Sequence, residues 1–464
     1  MSSPTQFPRD FLWGVATSAY QIEGAAAQGG RTPSIWDEFC DRPGAIHDGS
    51  SGEVAVDHYH RYREDVALMA DLGVAAYRFS ISWSRLVRPD GTVNPAGMDF
   101  YSRLVDELLA HRIRPWVTLY HWDLPTYLPG GWTSRDTAAR FAEYAALAHR
   151  GLGDRVPTWT TLNEPWCSAF LGHASGEHAP GRQEPGESLL VAHHLLLAHG
   201  LAVQALRAEG AAEVGVTLNF TPVHPADPHR EADVDVARRV DGLSNRLFVE
   251  PIVLGRYPAD IVADAGALWP SAAVHEGDLQ IISTPIDLLG VNYYSGWAVR
   301  AGEHPVTPNP FVTAPTATAA SRGLPRTEMD WEVDPQGLRE LLGWLHRTYT
   351  GPAGIWLAIT ENGAAYEDGD LVGDTVHDED RIDYLRDHLL AALDAIGDGV
   401  DLRAYLLWSF VDNFEWAHGY AKKFGIARVD ADLRRHPKLS ARWFARVVRE
   451  RCIPTEVGRA KMGE

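Results

Sequence analysis

In the sequence IWLAITENG, residues 355–363, five apolar residues precede Thr360, Glu361, Asn362 and Gly363. The apolar part is typical of a buried β-strand. An ionised Glu is costly to bury unless it is paired and hydrogen-bonded, so packing alone explains Glu361 poorly. We therefore interpret Glu361 as a residue that is held for chemistry at the end of a buried strand.

Other stretches of the chain have the same strand-like character, and helix-like stretches separate most of them. The predicted strands are 11–17, 74–82, 115–120, 157–163, 214–220, 286–293, 355–360 and 402–408. The predicted helices are 57–72, 99–112, 135–151, 189–209, 234–248, 335–350 and 380–396. Strands that alternate with helices pair in parallel through right-handed crossovers. Eight such units predict an α/β fold that closes into a (β/α)8 TIM barrel, with an open doubly wound sheet as the alternative.

The length of the chain agrees with one large barrel. At 464 residues it exceeds an average domain, but α/β barrels with insertions often run beyond about 250 residues. We predict a single (β/α)8 domain over 1–464, with long βα loops shaping the active-site pocket and flexible ends at 1–6 and 453–464. The Pro/Thr/Ala-rich stretch 301–326 is interpreted as a loop after the sixth strand, rather than an interdomain linker, and the acidic run 367–380 as a solvated loop.

Composition restricts the class of partner. The net charge of -20 argues against nucleic acid and anionic membranes. Residues 1–10 are polar and no stretch has 18 consecutive apolar residues, so we expect a cytoplasmic protein without membrane contact. Three cysteines without CxxC spacing are typical of reduced thiols. The 16 Trp and 16 Tyr suit a carbohydrate site, because aromatic faces stack against sugars.

No motif in the sequence indicates a metal or a cofactor. The histidine pairs at 58/60 and 193/194 lack HExxH or Cys/His spacing and are interpreted as packed or surface side chains. Neither a GxGxxG after a strand nor a GxSxG elbow occurs. We predict no metal, no cofactor and a small sugar as the partner, while a monomer and a homo-oligomer both stay open.

In a TIM barrel the functional residues lie at the C-terminal ends of the strands. Those ends are unusually polar here, and they carry Gln21, Glu23, Arg78, His121, Asp123, Asn163, Glu164, Asn292, Tyr294, Glu361 and Glu415. Glu164 and Glu361 follow the fourth and seventh strands, on opposite sides of an eight-stranded ring, so their side chains can converge. Two such carboxylates are the minimum for glycoside hydrolysis, one protonated and one ionised. A nearby cation such as Arg78 would keep one of them ionised. Taken singly, a Glu-Pro or a Glu-Asn-Gly sequence after a strand is also common in ordinary turns.

Three motifs, in this order, resemble those of glycoside hydrolase family 1 β-glucosidases, and the likeness covers about 7–448. They are FLWGVATSAYQIEG at 11–24, TLNEP at 161–165 and ITENG at 359–363. The resemblance implies that Glu361 is the nucleophile and Glu164 the acid/base of a retaining mechanism, with Arg78 and Tyr294 holding Glu361 in place. The substrate-binding residues that it implies are Gln21, His121, Asn163, Asn292, Tyr294, Trp331, Trp408, Glu415, Trp416 and Phe424.

The resemblance also implies a substrate class, namely the terminal non-reducing β-D-glucosyl residue of small β-glucosides such as cellobiose. Glu415 stands where members acting on 6-phosphosugars carry a small hydroxyl residue, which implies an unphosphorylated glycone, although Lys422 and Lys423 lie close by. The alternatives are a β-galactosidase or β-fucosidase preference in the same site, and a non-catalytic sugar-binding barrel. Asp330, next to Trp331 at the expected aglycone entrance, departs from the family's more usual Gly.

Overall fold

Each predicted strand is present in the computed structural model, which describes residues 6–369 and 371–454. The barrel strands are β1 (Leu12–Ala16), β2 (Ala76–Ser80), β3 (Arg114–Tyr120), β4 (Thr158–Asn163), β5 (Glu213–Asn219), β6 (Leu288–Asn292), β7 (Trp356–Asn362) and β8 (Leu402–Trp408). Neighbours in the chain pair in parallel, and β8 pairs with β1, which closes the barrel. The predicted TIM barrel is therefore confirmed, and the open doubly wound sheet is wrong.

Eight principal helices surround the barrel, and each of them follows a strand in the chain. They are His58–Asp71, Pro95–Ala110, Arg135–Leu152, Pro185–Ala208, Glu231–Asp241, Pro335–Leu345, Glu379–Gly397 and Leu439–Glu450. Shorter helices lie in the connections, at Ala19–Ile22, Ile35–Cys40, Trp83–Leu86, Leu247–Leu254, Ala259–Ala265, Asp278–Ile282 and Gly351–Ala353. Three 3-10 turns occur among the described residues, at Gly131–Thr133, Gly266–Leu268 and Trp416–His418.

Three segments of the described chain form π-helix, at Cys167–Ser175, Gly242–Arg246 and His346–Thr350. The second of these divides the helix predicted at 234–248, and the third ends the helix predicted at 335–350. π-Helical segments occur mostly at functional sites or as local irregularities, and hydrophobic periodicity alone does not reveal them. The first segment begins directly after Glu164-Pro165-Trp166, so it borders the fourth strand's polar end.

Two of the loop predictions are wrong in part. Within 301–326, Ala317–Ala320 pairs with Trp297–Ala301, and this hairpin joins Val223–Pro225 in a small three-stranded sheet. In the acidic run 367–380, Leu371–Val372 pairs with Thr375–Val376. The side chain of Asp368 also contacts Lys438, whose side chain is 0% exposed. These carboxylates are therefore not all solvated.

The helix Pro185–Ala208 is long and apolar enough to cross a membrane by length and composition, but 78% of its most apolar window is buried inside the protein. Such burial is typical of a core helix. The ends predicted to be flexible, 1–6 and 453–464, lie outside the described residues except for 6, 453 and 454. The prediction of a single domain over 1–464 stays a prediction.

Candidate active site

β4, which directly precedes Glu164, and β7, which contains Glu361, are both irregular near their C-terminal ends. The pairing of β4 with β5 shifts register between Thr160 and Asn163, and the pairing of β6 with β7 shifts between Ile359 and Glu361. A shift of this kind redirects the side chains that follow it, and such bulges are common next to active sites. Local irregularities near the ends of β4 and β7 thus aim the two carboxylates.

Gly363, directly after the second bulge, is required by a close approach of two strands. A Cβ atom at this position would lie 1.7 Å from the backbone oxygen of Trp408, at the end of β8. No side chain fits in that space. The glycine of the motif therefore allows β7 to pass β8 while Glu361 faces the cavity.

Glu361 receives two short hydrogen bonds, one from the buried Arg78 and one from the partly buried Tyr294. The Nη1 of Arg78 donates to its Oε1 at 2.7 Å, and the hydroxyl of Tyr294 donates to its Oε2 at 2.7 Å. The Arg78 side chain is 0% exposed, so this pair is screened from solvent. Burial, followed by the charge of Glu361, raises the pKa of Tyr294 well above its usual range, so its hydroxyl stays a donor.

Glu164 lies in a strained backbone conformation, with φ of 46° in the left-handed region. Its N–H donates to the backbone oxygen of Thr217 on β5 at 3.0 Å, and this bond fixes the turn. The Nδ2 of Asn292 donates to Oε1 of Glu164 at 2.7 Å, and the Cys167 thiol donates to its Oε2 at 3.2 Å. A non-glycine residue held in this region costs about 1–3 kcal/mol, which is typical of functional positions.

The partners of the two carboxyls decide which one keeps a proton. Burial, followed by the charge of Glu361, raises the pKa of Glu164. Burial also raises the pKa of Glu361, but Arg78 and Tyr294 act against this. Glu361 alone of the two contacts a cation, whereas the donors to Glu164 are a neutral amide and a neutral thiol. The proton therefore resides on Glu164, and Glu361 is ionised.

A chain of amide contacts fixes the orientation of Asn292. The hydroxyl of Thr360 donates to its Oδ1 at 2.7 Å, so its Nδ2 faces Glu164 and also donates to Oδ1 of Asn163 at 3.0 Å. The same Asn163 oxygen accepts a bond from Nη2 of Arg78 at 2.6 Å. Arg78 therefore bridges the ends of β4 and β7, which sets the two carboxylates relative to one another.

His121, at the end of β3, presents a free donor. Burial, followed by the charge of Arg78, lowers its pKa well below the usual range, so the ring is neutral. Its Nε2 is 3.1 Å from Nδ2 of Asn163 and must accept that amide hydrogen, so the ring proton is on Nδ1. Nδ1 has no hydrogen-bond partner among the described residues. A sugar hydroxyl is the kind of acceptor that it can serve.

Gln21 and Glu415 lie together at the far end of the cavity. The Nε2 of Gln21 donates to the backbone oxygen of Phe414 at 2.9 Å and approaches Oε2 of Glu415 at 3.4 Å. Burial, followed by the charges of Glu361 and Glu164, raises the pKa of Glu415 to about 8. This end is thus closed by polar groups that can both donate and accept hydrogen bonds.

Aromatic rings surround the polar groups on this side. The His121 ring stacks at 5.8 Å from that of Trp408 and at 6.0 Å from that of Trp416. The Trp416 ring is backed in turn by Tyr20, stacked at 6.1 Å. The Trp408-Ser409 peptide bond is cis. Flat aromatic faces among hydrogen-bonding groups are the usual composition of a sugar site.

The cavity itself has a volume of about 350 Å³, within the range of about 300–1,000 Å³ typical of small-molecule sites. The predicted residues that line it are His121, Glu164, Asn292, Tyr294, Trp331, Glu361, Trp408, Glu415, Trp416 and Phe424. Gln21, Asn163 and Arg78 are buried behind this lining and contact it. The structure thus brings the catalytic and substrate-binding residues implied by the resemblance to one cavity or to its immediate support, whereas Glu23 pairs with Arg85 and neither Glu23 nor Asp123 lines the cavity.

Comparison with known proteins agrees with this geometry. Residues 3–452 match the sequence profile of Glycosyl hydrolase family 1. The chain belongs to glycosyl hydrolase family 1. As a member of family 1, it is a glycoside hydrolase enzyme.

Two curated relatives match the family 1 chain over nearly its full length. One is a bifunctional beta-D-glucosidase/beta-D-fucosidase of Bifidobacterium breve, 47% identical over 95% of this chain and 98% of that protein. The other is a thermostable beta-glucosidase B of Thermobispora bispora, 50% identical over 96% of this chain and 90% of that protein.

Solved structures of family 1 enzymes have the same fold. The psychrophilic beta-glucosidase of Micrococcus antarcticus superposes with a TM-score of 0.93 at 50% identity, covering 97% of this chain and 100% of that one. The beta-glucosidase of Thermotoga maritima in complex with deoxynojirimycin superposes with a TM-score of 0.91 at 41% identity, covering 97% and 100%.

The entrance of the family 1 site keeps its shape despite Asp330. The backbone of Asp330 has φ of 60°, a conformation that glycine adopts without strain, and its carboxylate pairs with Arg326 at 2.8 Å. Trp331 packs against Tyr294 and Phe424, with ring centroids 5.3 and 6.1 Å away. The departure from Gly is therefore accommodated locally, and Trp331 still borders the cavity.

The two lysines next to Phe424 do not line the cavity. The ammonium of Lys422 donates to the backbone oxygen of Glu328 and lies 3.8 Å from its carboxylate. Lys423 offers its backbone oxygen to Arg381. Neither lysine is among the residues that surround Glu415 in the cavity.

Several residues of the site were not identified from sequence. Cys167 contacts Glu164, Thr360 orients Asn292, and the Trp122 indole donates to the backbone oxygen of Asn163 at 2.9 Å. Cys167 follows Glu164 by three residues, which is one helical turn, so a helical interpretation of 165–175 would have indicated it. Among the described residues no group of three or more His, Cys, Asp or Glu side chains could hold a metal ion.

Proposed function

We propose that this enzyme is a retaining, exo-acting β-glucosidase in which Glu361 is the nucleophile and Glu164 is the general acid and base. The observation that carries the proposal is the unequal environment of the two carboxyls. Glu361 is bound by a cation and a phenol, whereas Glu164 is bound by a neutral amide and a neutral thiol. One ionised and one protonated carboxyl are what a two-step displacement needs.

In the first step, Glu361 attacks the anomeric carbon while Glu164 gives its proton to the departing oxygen. The bond between the sugar and the aglycone breaks, and a glycosyl ester forms on Glu361. As Glu361 becomes neutral, the charge that raised the pKa of Glu164 disappears, so Glu164 remains ionised. In the second step Glu164 takes a proton from water, which attacks the same carbon and releases the sugar with retention.

The glycone would occupy the polar end of the cavity. Gln21, His121 and Glu415 would bind hydroxyls, Asn163 would bind the 2-hydroxyl, and Trp416 would stack on the ring. Gln21 and His121 are buried at this part of the cavity, which supports cleavage of terminal residues. Phe424 and Trp331 would flank the aglycone.

The substrate class is proposed from Glu415 and from the relatives. Glu415 brings no positive charge to a 6-phosphate, and once ionised, above its raised pKa of about 8, it would repel one, which supports an unphosphorylated glycone. The relatives include a beta-glucosidase and a bifunctional beta-D-glucosidase/beta-D-fucosidase. A β-fucosidase or β-galactosidase activity in the same cavity is therefore the second candidate. Relative kcat/KM on the 4-nitrophenyl β-glucoside, β-fucoside and β-galactoside distinguishes these activities, and the 6-phosphoglucoside should not be hydrolysed.

The nucleophile is tested by Glu361→Gly, with Glu367→Gly on an exposed loop as the matched control. Glu361→Gly should lose hydrolysis, and azide should restore turnover of an activated aryl glucoside with an inverted glucosyl azide as product. Glu367→Gly should behave as the parent enzyme. Undiminished hydrolysis in Glu361→Gly, or a retained azide product, would contradict the assignment.

The acid is tested by the leaving-group dependence of Glu164→Ala. Without a proton donor, the first step should slow severely for poor leaving groups and little for activated ones. The measurement is kcat/KM across a series of aryl β-glucosides. An equal loss across the series would remove Glu164 as the acid.

A further inference from the structure

We propose that Cys167 is a positioning residue for Glu164, and that its thiol lowers the pH at which Glu164 gives up its proton. This inference rests on the proposed role of Glu164 as acid and base. It concerns a contact that the two catalytic motifs do not include.

The contact is built into the turn that follows β4. Glu164 adopts the left-handed conformation, and its backbone oxygen accepts the N–H of Cys167 at 3.0 Å. This turn starts the π-helix Cys167–Ser175 and places the thiol beside the carboxyl, with Sγ 3.2 Å from Oε2. Cys167 is buried and also borders the cavity. The thiol is thus held against Glu164 by the backbone and not by chance packing.

The two oxygens of Glu164 have different partners, and this difference places the proton. Oε1 accepts from the amide of Asn292, whose orientation is fixed by Thr360. An oxygen that already accepts an amide hydrogen is a poor site for a second proton, so the acid proton is on Oε2. Oε2 is the oxygen that the thiol contacts, so Cys167 faces the atom that loses and regains the proton.

A thiol suits an oxygen that alternates between two states. When Glu164 is ionised, S–H donates to Oε2, and when Glu164 is protonated the sulfur can turn and act as a weak acceptor. A thiol bond is weaker than a hydroxyl bond, so it does not hold Glu164 ionised before the first step. Burial, followed by the charge of Glu164, raises the pKa of Cys167 well above its usual range, so the group remains a thiol.

Other titratable groups around Glu164 also affect its ionisation. Glu361 and Glu415 oppose it, Arg78 favours it, and Tyr294 is a neutral phenol. Glu177, at the cavity wall, acts on the thiol of Cys167. All of these remain in place when Cys167 is replaced, so a difference between Cys167 variants reports the group at 167.

The experiment compares Cys167→Ala and Cys167→Ser with the parent enzyme, with Cys452→Ala as a control far from the site. The measurement is kcat/KM against pH for an aryl β-glucoside with a poor leaving group, whose alkaline limb reports the acid. Loss of the donor in Cys167→Ala should move that limb to higher pH, and the stronger donor in Cys167→Ser should move it to lower pH, each by about 0.5–1 pH unit. Cys452→Ala should leave it in place.

Opposite shifts separate a hydrogen bond from a packing defect, because a packing defect would move both variants in one direction. Shifts of the same sign, or no shift in folded variants, would overturn the proposal. Thermal unfolding shows whether each variant is folded. If Cys167→Ala is not folded, the nearly isosteric Cys167→Ser decides the test, and it should move the limb to lower pH. Glu164→Gln distinguishes a failure of the acid/base assignment from a failure of the Cys167 inference. If Glu164→Gln keeps the alkaline limb, Glu164 is not the acid. If Glu164→Gln loses the limb while the Cys167 variants leave it in place, only the inference about Cys167 fails.

Discussion

Replacing Tyr294 with Phe removes one hydroxyl from the contact with Glu361 and leaves the ring in place. The hydroxyl donates to Oε2 of Glu361 at 2.7 Å in a site screened from solvent. A hydrogen bond to a charged acceptor contributes about 1.5–3 kcal/mol, and one pKa unit corresponds to about 1.36 kcal/mol. The pKa of Glu361 should therefore rise by about one to two units in Tyr294→Phe.

The sign of the effect on activity follows from the form of Glu361 that reacts. The nucleophile must be ionised, so activity is lost as the pH falls through its pKa. Because the substitution raises that pKa, the acid limb of kcat/KM should move to higher pH by about one to two units. The alkaline limb, which Glu164 sets, should move much less. The assay is the pH dependence of kcat/KM on an activated aryl β-glucoside.

The neighbouring residue supplies the matched control. Tyr293 is fully buried, whereas Tyr294 is partly buried, and the Tyr293 hydroxyl donates to the backbone oxygen of Asp334 at 2.6 Å, away from the carboxylates. Tyr293→Phe should cost stability of about 1 kcal/mol and leave the acid limb in place. An unmoved limb in Tyr294→Phe, or equal movement in both variants, would refute the assignment of Tyr294 as the residue that keeps Glu361 ionised.

Three further substitutions test other parts of the structure. Gly363→Ala should reduce kcat at least about tenfold, because a Cβ would lie 1.7 Å from the Trp408 oxygen. In the same assay Gly369→Ala should be neutral, because a Cβ there would meet no atom of the described residues within 4 Å. Lys438→Met should destabilise the protein by about 3–5 kcal/mol in thermal unfolding, since Asp368 and Asp412 lose the cation that they share. The control Lys422→Met removes a more exposed ion pair and should destabilise the protein by under about 1 kcal/mol. The pKa of Glu415 in the folded protein is raised to about 8. The contribution of this side chain to the free energy of unfolding is therefore complete below the pKa that it has in the unfolded chain, and it is lost as the pH rises to about 8. The difference in thermal stability between Glu415→Gln and the parent should therefore favour the variant more at pH 9 than at pH 5. An equal difference at the two pH values would contradict the raised pKa of Glu415.

The barrel and the position of the site could be predicted because their signals are local. Each strand is a short apolar run, and the residues that follow it, such as Glu164 and Glu361, are polar without a packing reason. Parallel pairing in chain order then brings these ends to one face of the barrel. The predicted residues consequently share one cavity, although their roles, the cytoplasmic location and the oligomeric state stay predictions.

The missed features depend on contacts between distant parts of the chain. Asp368 belongs to an acidic run that looks solvated, and its burial depends on Lys438, which is 70 residues away. Ala317–Ala320 forms a strand because it pairs antiparallel with Trp297–Ala301. The left-handed turn at Glu164 depends on the Thr217 oxygen of the next strand. Periodicity along the sequence carries no information about such partners.

The register shifts at the ends of β4 and β7 have a consequence for how this scaffold can change. The separation of the two carboxyls decides whether a glycosidase retains or inverts configuration. In this protein the two carboxyls follow register shifts in the pairing of β4 with β5 and in the pairings of β7 with both β6 and β8. The stereochemical outcome therefore depends on these irregular strand ends in addition to the order of the strands in the barrel.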